Sequence, residues 1–292
     1  MSRRRAATAV VLLLVAGCAP ARSGSLGPAP VAPTPTTAGP TVLAPPVSTA
    51  PPPTTGSPAP APPTTGAAGT SRPATLTLEL WYVRDGRLVP TRRVRPATVA
   101  TSRLALSELA VGPTSTETAA GLVTLLPDGV QVSRIDSGVA TVRMSTTPEQ
   151  ATGRLREAQV VYTLTQFPTV RQVAFGADAP ADRADYADLL PAIVVTDPTI
   201  GGRVSSPVTV TGTADVFEAT VSVRVLDSAG RPIATAFTTA TCGTGCRGGY
   251  RIAVAYRLAR DQPGTIEVYE VSAADGSRTN LATVPVTLTA AG

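Results

Sequence analysis

The chain has 292 residues and a formal charge of +5; all 25 of its basic residues are arginine, and there is no histidine. Without histidine it can build no Ser-His-Asp triad, no Cys-His dyad and no His-ligated metal centre. Without lysine it can build no Walker-type phosphate loop and no Schiff base.

The first zone is residues 1–18. Ser2-Arg3-Arg4-Arg5 is a positive start, and an apolar run follows from Ala6 to Val15. That run is shorter than the ~20 residues a spanning helix needs, but it fits the apolar region of an export signal. It ends at Val15-Ala16-Gly17-Cys18, which resembles the lipobox of bacterial lipoproteins. The resemblance implies cleavage before Cys18 and attachment of a diacylglycerol to its thiol. The anchor would place the chain on the outer face of the cell membrane. The arginine pair leaves both general and twin-arginine export open. Loss of Arg3, Arg4 and Arg5 leaves 22 arginines against 20 acidic residues. The basic balance is thus partly a property of the signal, and it does not point to an acidic partner.

Residues 19–73 read as a disordered Pro/Thr-rich tether. Up to Ser71 the segment holds 15 of the chain's 29 prolines, with no aromatic and no acidic residue. Such a composition buries too little apolar surface to offset chain entropy. Proline biases it toward polyproline II, in which ~50 residues would reach ~150 Å.

All the aromatic and acidic residues lie in the remaining part. Its first domain is expected over residues 74–178. Thr75 to Val83 alternates, with Leu76, Leu78, Leu80 and Tyr82 on one side, and reads as a strand. Asp85-Gly86 is a hairpin signal, Leu88 to Val94 the return strand, and Pro90 places that strand at an edge. Ala100 to Val111 reads as a helix ended by Gly112-Pro113. Thr114-Ser115-Thr116-Glu117 is a capping box for a short helix closed by Gly121. Pro127-Asp128-Gly129 is a turn. Two strands, Val130 to Ile135 and Val139 to Met144, flank Asp136-Ser137-Gly138. Thr147-Pro148-Glu149-Gln150 is a second capping box. Its helix runs to about Gln166, with Leu155, Ala158, Val161, Tyr162 and Leu164 toward the core. A last strand runs from Val170 to Phe175. The fold class is α+β, with helices on a sheet.

Several of these segments resemble the GerMN domain of sporulation and spore germination. They are Ala105-Leu106, Leu109, Gly112-Pro113-Thr114, Glu117, Gly121-Leu122, Leu126-Pro127, Gly129, and the run Gln159 to Pro168. The resemblance implies a domain defined by fold and association, with no catalytic reaction and no active site to carry over. Glu117 is read as a cap and Asp136 as a turn residue. Gln159, Thr163 and Gln166 recur on one helix side and are read as a solvated face, with a polar ligand face as the other reading.

Asp185 to Pro191 reads as a helical link. The second domain is expected over residues 190–292. Its strands are Ile193 to Val195, Val208 to Thr213, Thr220 to Leu226, Pro232 to Thr239, Tyr250 to Tyr256, Gly264 to Val271 and Leu281 to Leu288. Turns fall at Asp227-Ser228-Ala229-Gly230, Gln262-Pro263-Gly264 and Asp275-Gly276. Seven short strands at this spacing predict an all-β immunoglobulin-like sandwich. Ser206-Pro207-Val208, Val216-Phe217-Glu218-Ala219, Cys242-Gly243, Gly245-Cys246-Arg247-Gly248 and Glu267 to Ser272 resemble the immunoglobulin-like Gmad domain of spore-germination proteins. Phe217 is read as core and Glu218 as a strand-end charge.

Cys242 and Cys246 are expected to form a disulfide, since export places them in an oxidising compartment. Free thiols are the other reading. Zinc lacks ligands, because Cys18 is expected to carry lipid and no histidine exists. No catalytic residue, cofactor site or metal site is predicted. The expected function is that of a membrane-anchored, non-catalytic interaction or scaffold module, with an envelope protein or wall polymer as partner. The alternatives are a wall-glycan enzyme using two of Glu79, Asp136, Glu218 and Glu270, or a small-ligand sensor. Nucleic acid is excluded as a partner by export and by the lack of a basic cluster.

Overall fold

A computed structural model describes residues 74–144 and 150–290. The signal, Cys18, the tether and the capping residues Thr147 to Glu149 lie outside the described residues. Among the described residues, no helix is long and apolar enough to cross a membrane.

The N-terminal half is mixed α/β. Strands β1 (Thr75–Arg84) and β2 (Arg87–Pro96) form an antiparallel hairpin. Asp85 and Gly86 both take positive φ, 52° and 70°, as a two-residue hairpin turn requires. Helix α1 (Thr101–Val111) follows, then the short α2 (Ser115–Ala119). The backbone reverses after α1 at Gly112, whose φ of 94° suits glycine. Strands β3 (Gln131–Asp136) and β4 (Val139–Arg143) form a second hairpin. Helix α3 (Gln150–Leu164) then crosses over to β5 (Gln172–Phe175), which pairs parallel with β4. The half therefore contains two separate small sheets, β1-β2 and β3-β4-β5, where one sheet was expected. The reason lies at the free edge of β1. Val83 and Val123 exchange a single bridge of two 2.9 Å bonds. Side chains of α3 take the rest of that edge, as described below.

A 3₁₀ turn (Ala184–Leu189) links the halves, as the sequence predicts. The C-terminal half has two sheets. One holds, in spatial order, β10 (Pro232–Thr239), β9 (Thr220–Leu226), β12 (Gln262–Val271), β13 (Arg278–Leu288) and β7 (Arg203–Val204). The other holds β11 (Gly248–Val254), β8 (Val208–Ala214) and β6 (Ile193–Asp197). Two curved sheets with alternating burial are consistent with an immunoglobulin-like arrangement. The predicted turn at Gln262-Pro263-Gly264 is instead the first part of β12. Gly264 sits there because a side chain would collide with Leu288 and the Leu226 carbonyl, which press against its backbone. The short β7 carries too little pattern to be read from sequence.

The cores of the two halves are continuous. Leu78, Leu80 and Leu88 from the first and Ile193, Val210 and Ile266 from the second belong to one cluster of buried side chains. The structure pairs Cys242 with Cys246, with Cα atoms 5.8 Å apart. On the chain-entropy model, closing this five-residue loop contributes about 2 kcal/mol.

Candidate functional site

The polar residues singled out by the sequence separate into internal supports and exposed turns. Gln159 and Thr163 are fully buried and Gln166 is half-buried, so the solvated-face reading is incorrect. The three side chains line the open edge of β1. The Gln159 amide donates to the Trp81 carbonyl at 2.9 Å and accepts from the Leu125 N–H at 2.8 Å. The Thr163 hydroxyl accepts from the Trp81 N–H at 3.1 Å. Gln166 accepts from the Glu79 N–H and donates to the Glu79 carbonyl, both at 2.8 Å. A helix thus supplies the hydrogen bonds that a neighbouring strand would otherwise make. A ligand face is also ruled out, because these groups are consumed by backbone.

Glu117 does cap α2: its carboxylate accepts from the Thr114 N–H at 2.8 Å, and the Thr114 hydroxyl accepts from the Glu117 N–H. It also does more than the sequence showed. It is buried, and it receives the Thr91 hydroxyl at 2.5 Å and both terminal nitrogens of Arg93. Burial pushes its carboxyl upward, but the hydrogen bonds from Arg93, Thr91 and Thr114 outweigh that and hold it below the ordinary carboxylate value. Every lone pair has a donor, so Glu117 is not poised as an acid or base.

The other carboxylates lie on separate elements. Glu79, on β1, accepts from the Trp81 indole at 2.9 Å. Asp136 ends β3 and accepts from the Ser137 hydroxyl in an exposed turn. Glu270, on β12, accepts from the Phe217 N–H at 2.9 Å and from Asn280 at 2.6 Å. Glu218 is exposed in a short 3₁₀ turn just before β9, with φ of 52°. Phe217, expected in the core, is 53% exposed in the same turn. Its backbone is tied to Glu270 while its ring faces outward. Among the described residues, no group of three or more Asp, Glu and Cys is placed to hold a metal ion.

One concave feature of the described residues lies between the two halves. A cavity of about 420 Å³ is bordered by the β1–β2 hairpin tip, by residues 190–200 and by residues 280–284 of β13. Its walls mix apolar side chains, with Leu88, Leu190, Ile200 and Val284 among them, and a comparable share of polar surface. Arg84 and Arg87 stand at the hairpin tip. The Arg84 stem lies against Gly121, and its guanidinium makes one long contact, 3.4 Å, with the Thr283 carbonyl. Burial lowers the pKa of Arg84, with the nearby Asp85 charge acting the other way.

Arginines also brace the region where the halves meet, one across the halves, one onto the linking turn and one within the C-terminal half. Arg154 of α3 grips Asp188 through two bonds of 2.9 and 3.0 Å, and those bonds hold the Asp188 carboxyl below its ordinary value. Arg92 of β2 pairs with Asp197 of β6 at 3.4 Å. Arg247 donates to the Pro191 and Ala192 carbonyls at 2.8 and 3.3 Å. The rigid planar fork of arginine presents parallel donors to two acceptors, a geometry that the point-charge ammonium of lysine does not fix. The sequence showed arginine as the sole base; its use as a brace where the halves meet depended on the tertiary fold.

Comparison with known proteins agrees with both halves. Residues 77–178 match the family described as sporulation and spore germination, and residues 192–277 match the immunoglobulin-like domain of bacterial spore germination. The first GerMN domain of the Bacillus subtilis sporulation protein GerM is similar at 24% identity and a TM-score of 0.30, over 34% of this chain and 80% of that one. The tandem GerMN domains of the same protein match at 16% identity and a TM-score of 0.34, over 74% of this chain. The match spans about three fifths (61%) of that tandem structure. CopC from Methylosinus trichosporium OB3b matches at 20% identity and a TM-score of 0.24, over 34% of this chain and 96% of that one. None of the curated proteins matches the chain in sequence.

Proposed function

Since this chain carries a GerMN domain followed by a Gmad2 immunoglobulin-like domain, the architecture of bacterial spore-germination proteins, we propose that it is a lipid-anchored, extracytoplasmic interaction module of the cell envelope. Both domains are non-catalytic modules. The observation that carries the reading is the use made of the polar interior. Gln159, Thr163 and Glu117 hold backbone and arginine in place, and none of them faces the groove. The groove itself offers a mixed polar and apolar lining with arginines at its rim, which suits recognition.

On this reading the lipidated Cys18 holds the chain at the membrane, and the tether of residues 19–73 carries the two domains outward into the wall. The partner is a protein of the envelope. A wall-glycan enzyme is disfavoured because Glu79 and Asp136 stand on separate elements, and Glu270, though it lies beside the turn that carries Glu218, is engaged by the Phe217 N–H and by Asn280. A Cys18→Ala variant is expected to leave the membrane fraction and appear in the culture medium. Immunoblotting of fractionated cells and metabolic labelling with a lipid precursor check this. Retention of unlabelled Cys18→Ala protein at the membrane would contradict the anchor. Formaldehyde crosslinking of intact cells, read by mass spectrometry against the Cys18→Ala strain, tests the interaction role. Crosslinked species that depend on the anchor are expected, and their absence would contradict it.

A further inference from the structure

The groove is bordered by three strand edges that have no strand hydrogen-bonded to them along most of their length, although β6 lies near both β2 and β13. β2 pairs with β1 alone, and β6 pairs with β8 alone. β13 meets β7 only at Thr287 and Leu288. The alternation of β13 fixes which of its backbone groups look outward. The Thr287 N–H donates to Gly202 and the Pro285 carbonyl accepts from Gly201, both at 2.8 Å and both away from β12. Thr283 lies two residues further back and turns the same way. Its carbonyl meets only the 3.4 Å contact with Arg84. On β6, the Asp215 N–H donates to the Ala192 carbonyl at 2.8 Å. Ile193 is therefore in a non-hydrogen-bonded position opposite Ala214, with its N–H and C=O directed away from β8. An unpaired edge is a template for an added strand.

The charges at the hairpin tip add a second requirement. Among the described residues, neither Arg84 nor Arg87 takes part in an ion pair with a carboxylate. Arg84 is partly desolvated and Arg87 donates to the Asp188 carbonyl. Most of their donors therefore remain available to an anion.

We propose that this groove takes up an extended peptide segment of a partner protein as an added strand, with a carboxylate of that segment held by Arg84 and Arg87. The proposal rests on the interaction-module reading and names the site and the kind of partner. The cavity falls within the ~300–1,000 Å³ range of ligand sites. Its walls at Leu190, Ile200, Leu281 and Val284 would take apolar side chains. Leu281 is 49% exposed at the rim, an uncovered apolar group at the mouth of the groove. Side chains two apart share a face of a strand. The bound segment should therefore carry Asp or Glu with an apolar residue two positions away. The chain's own tether does not meet this requirement, because residues 19–73 contain no acidic residue.

The test uses the full-length protein in detergent, panned against a random linear heptapeptide display library. Enriched peptides are expected to share one acidic residue with an apolar residue two positions from it. Fluorescence anisotropy of an enriched peptide then compares variants whose thermal melts match the parent. Arg84→Gln is expected to weaken binding ~10–100-fold, the loss of a charge-assisted bond. Thr283→Pro removes an outward N–H together with the threonine side chain, and the equivalent position Pro285 shows that proline fits this register. It is expected to weaken binding ~5-fold, the loss of one neutral hydrogen bond. Enriched peptides without an acidic residue, or equal affinity in parent and variants, would overturn the proposal. Equal competition by free glutamate would also overturn it, since a small carboxylate needs no strand edge. Retention of the anchor-dependent crosslinks alongside failed peptide binding would remove the groove and leave the interaction role intact.

Discussion

Replacing Glu117 with alanine is expected to destabilise the folded part by about 3–5 kcal/mol, the cost of stranding one member of a buried ion pair. Its side chain is 2% exposed and its partner's is 12% exposed. The alanine variant leaves the Arg93 guanidinium, the Thr91 hydroxyl and the Thr114 N–H without their acceptor. It also opens the capping box of α2. Glu117→Gln keeps the size and part of the hydrogen bonding, so it should cost less. Urea unfolding monitored by far-ultraviolet circular dichroism gives both numbers. A loss below about 1 kcal/mol in the alanine variant would show that the cluster is solvated, as exposed pairs are.

The same carboxylate sets a pH dependence. Its pKa is lower in the folded state than the ordinary 4.5, so folding is favoured by its ionisation. That contribution is complete above pH 4.5 and is lost as pH falls through the depressed folded value. The stability difference between the parent and Glu117→Gln should therefore narrow below about pH 4.5 and stay constant above it.

Gln159→Leu is the second large effect. It swaps a buried amide for an apolar side chain of similar size, so cavity formation contributes little. What remains is the loss of acceptor and donor for two backbone groups, the Trp81 carbonyl and the Leu125 N–H. At about 1–3 kcal/mol for each unsatisfied buried group, the loss is about 2–6 kcal/mol. Thermal unfolding by calorimetry, paired with hydrogen exchange along β1, distinguishes local from global loss. If Gln159→Leu melts with the parent, the side chains of α3 do not serve the edge of β1.

These residues also mark where the sequence was legible. Asp85-Gly86, Gly112-Pro113 and the capping box at Thr114 act within a few residues of themselves, and the structure places each as its local chemistry demands. The row of Gln159, Thr163 and Gln166 depends on β1, more than 75 residues earlier in the chain. Spacing alone could not reveal that β1 lacks a strand on one side. A signal was nevertheless present. Ala158, Val160, Val161, Tyr162 and Leu164 occupy several sides of the helix and all are buried. A helix apolar on so many sides leaves little room for a solvated face. Phe217 failed as a core prediction for the opposite reason. Its aromatic type suggested burial, but the tight turn at Glu218 and Ala219, both at positive φ, turns the ring outward. The groove was not legible at all, because its walls come from three segments spread over about 200 residues.

The most direct measurement is site-resolved photocrosslinking in living cells. A photoreactive phenylalanine analogue is placed at Leu281, on the rim of the groove, and separately at Phe237, which is exposed on β10 at the far edge of its sheet. If the chain acts as an envelope interaction module through its groove, the Leu281 position yields a discrete adduct that disappears in the Arg84→Gln background, and the Phe237 position does not. No adduct from either position, or equal adducts that ignore Arg84, would contradict it.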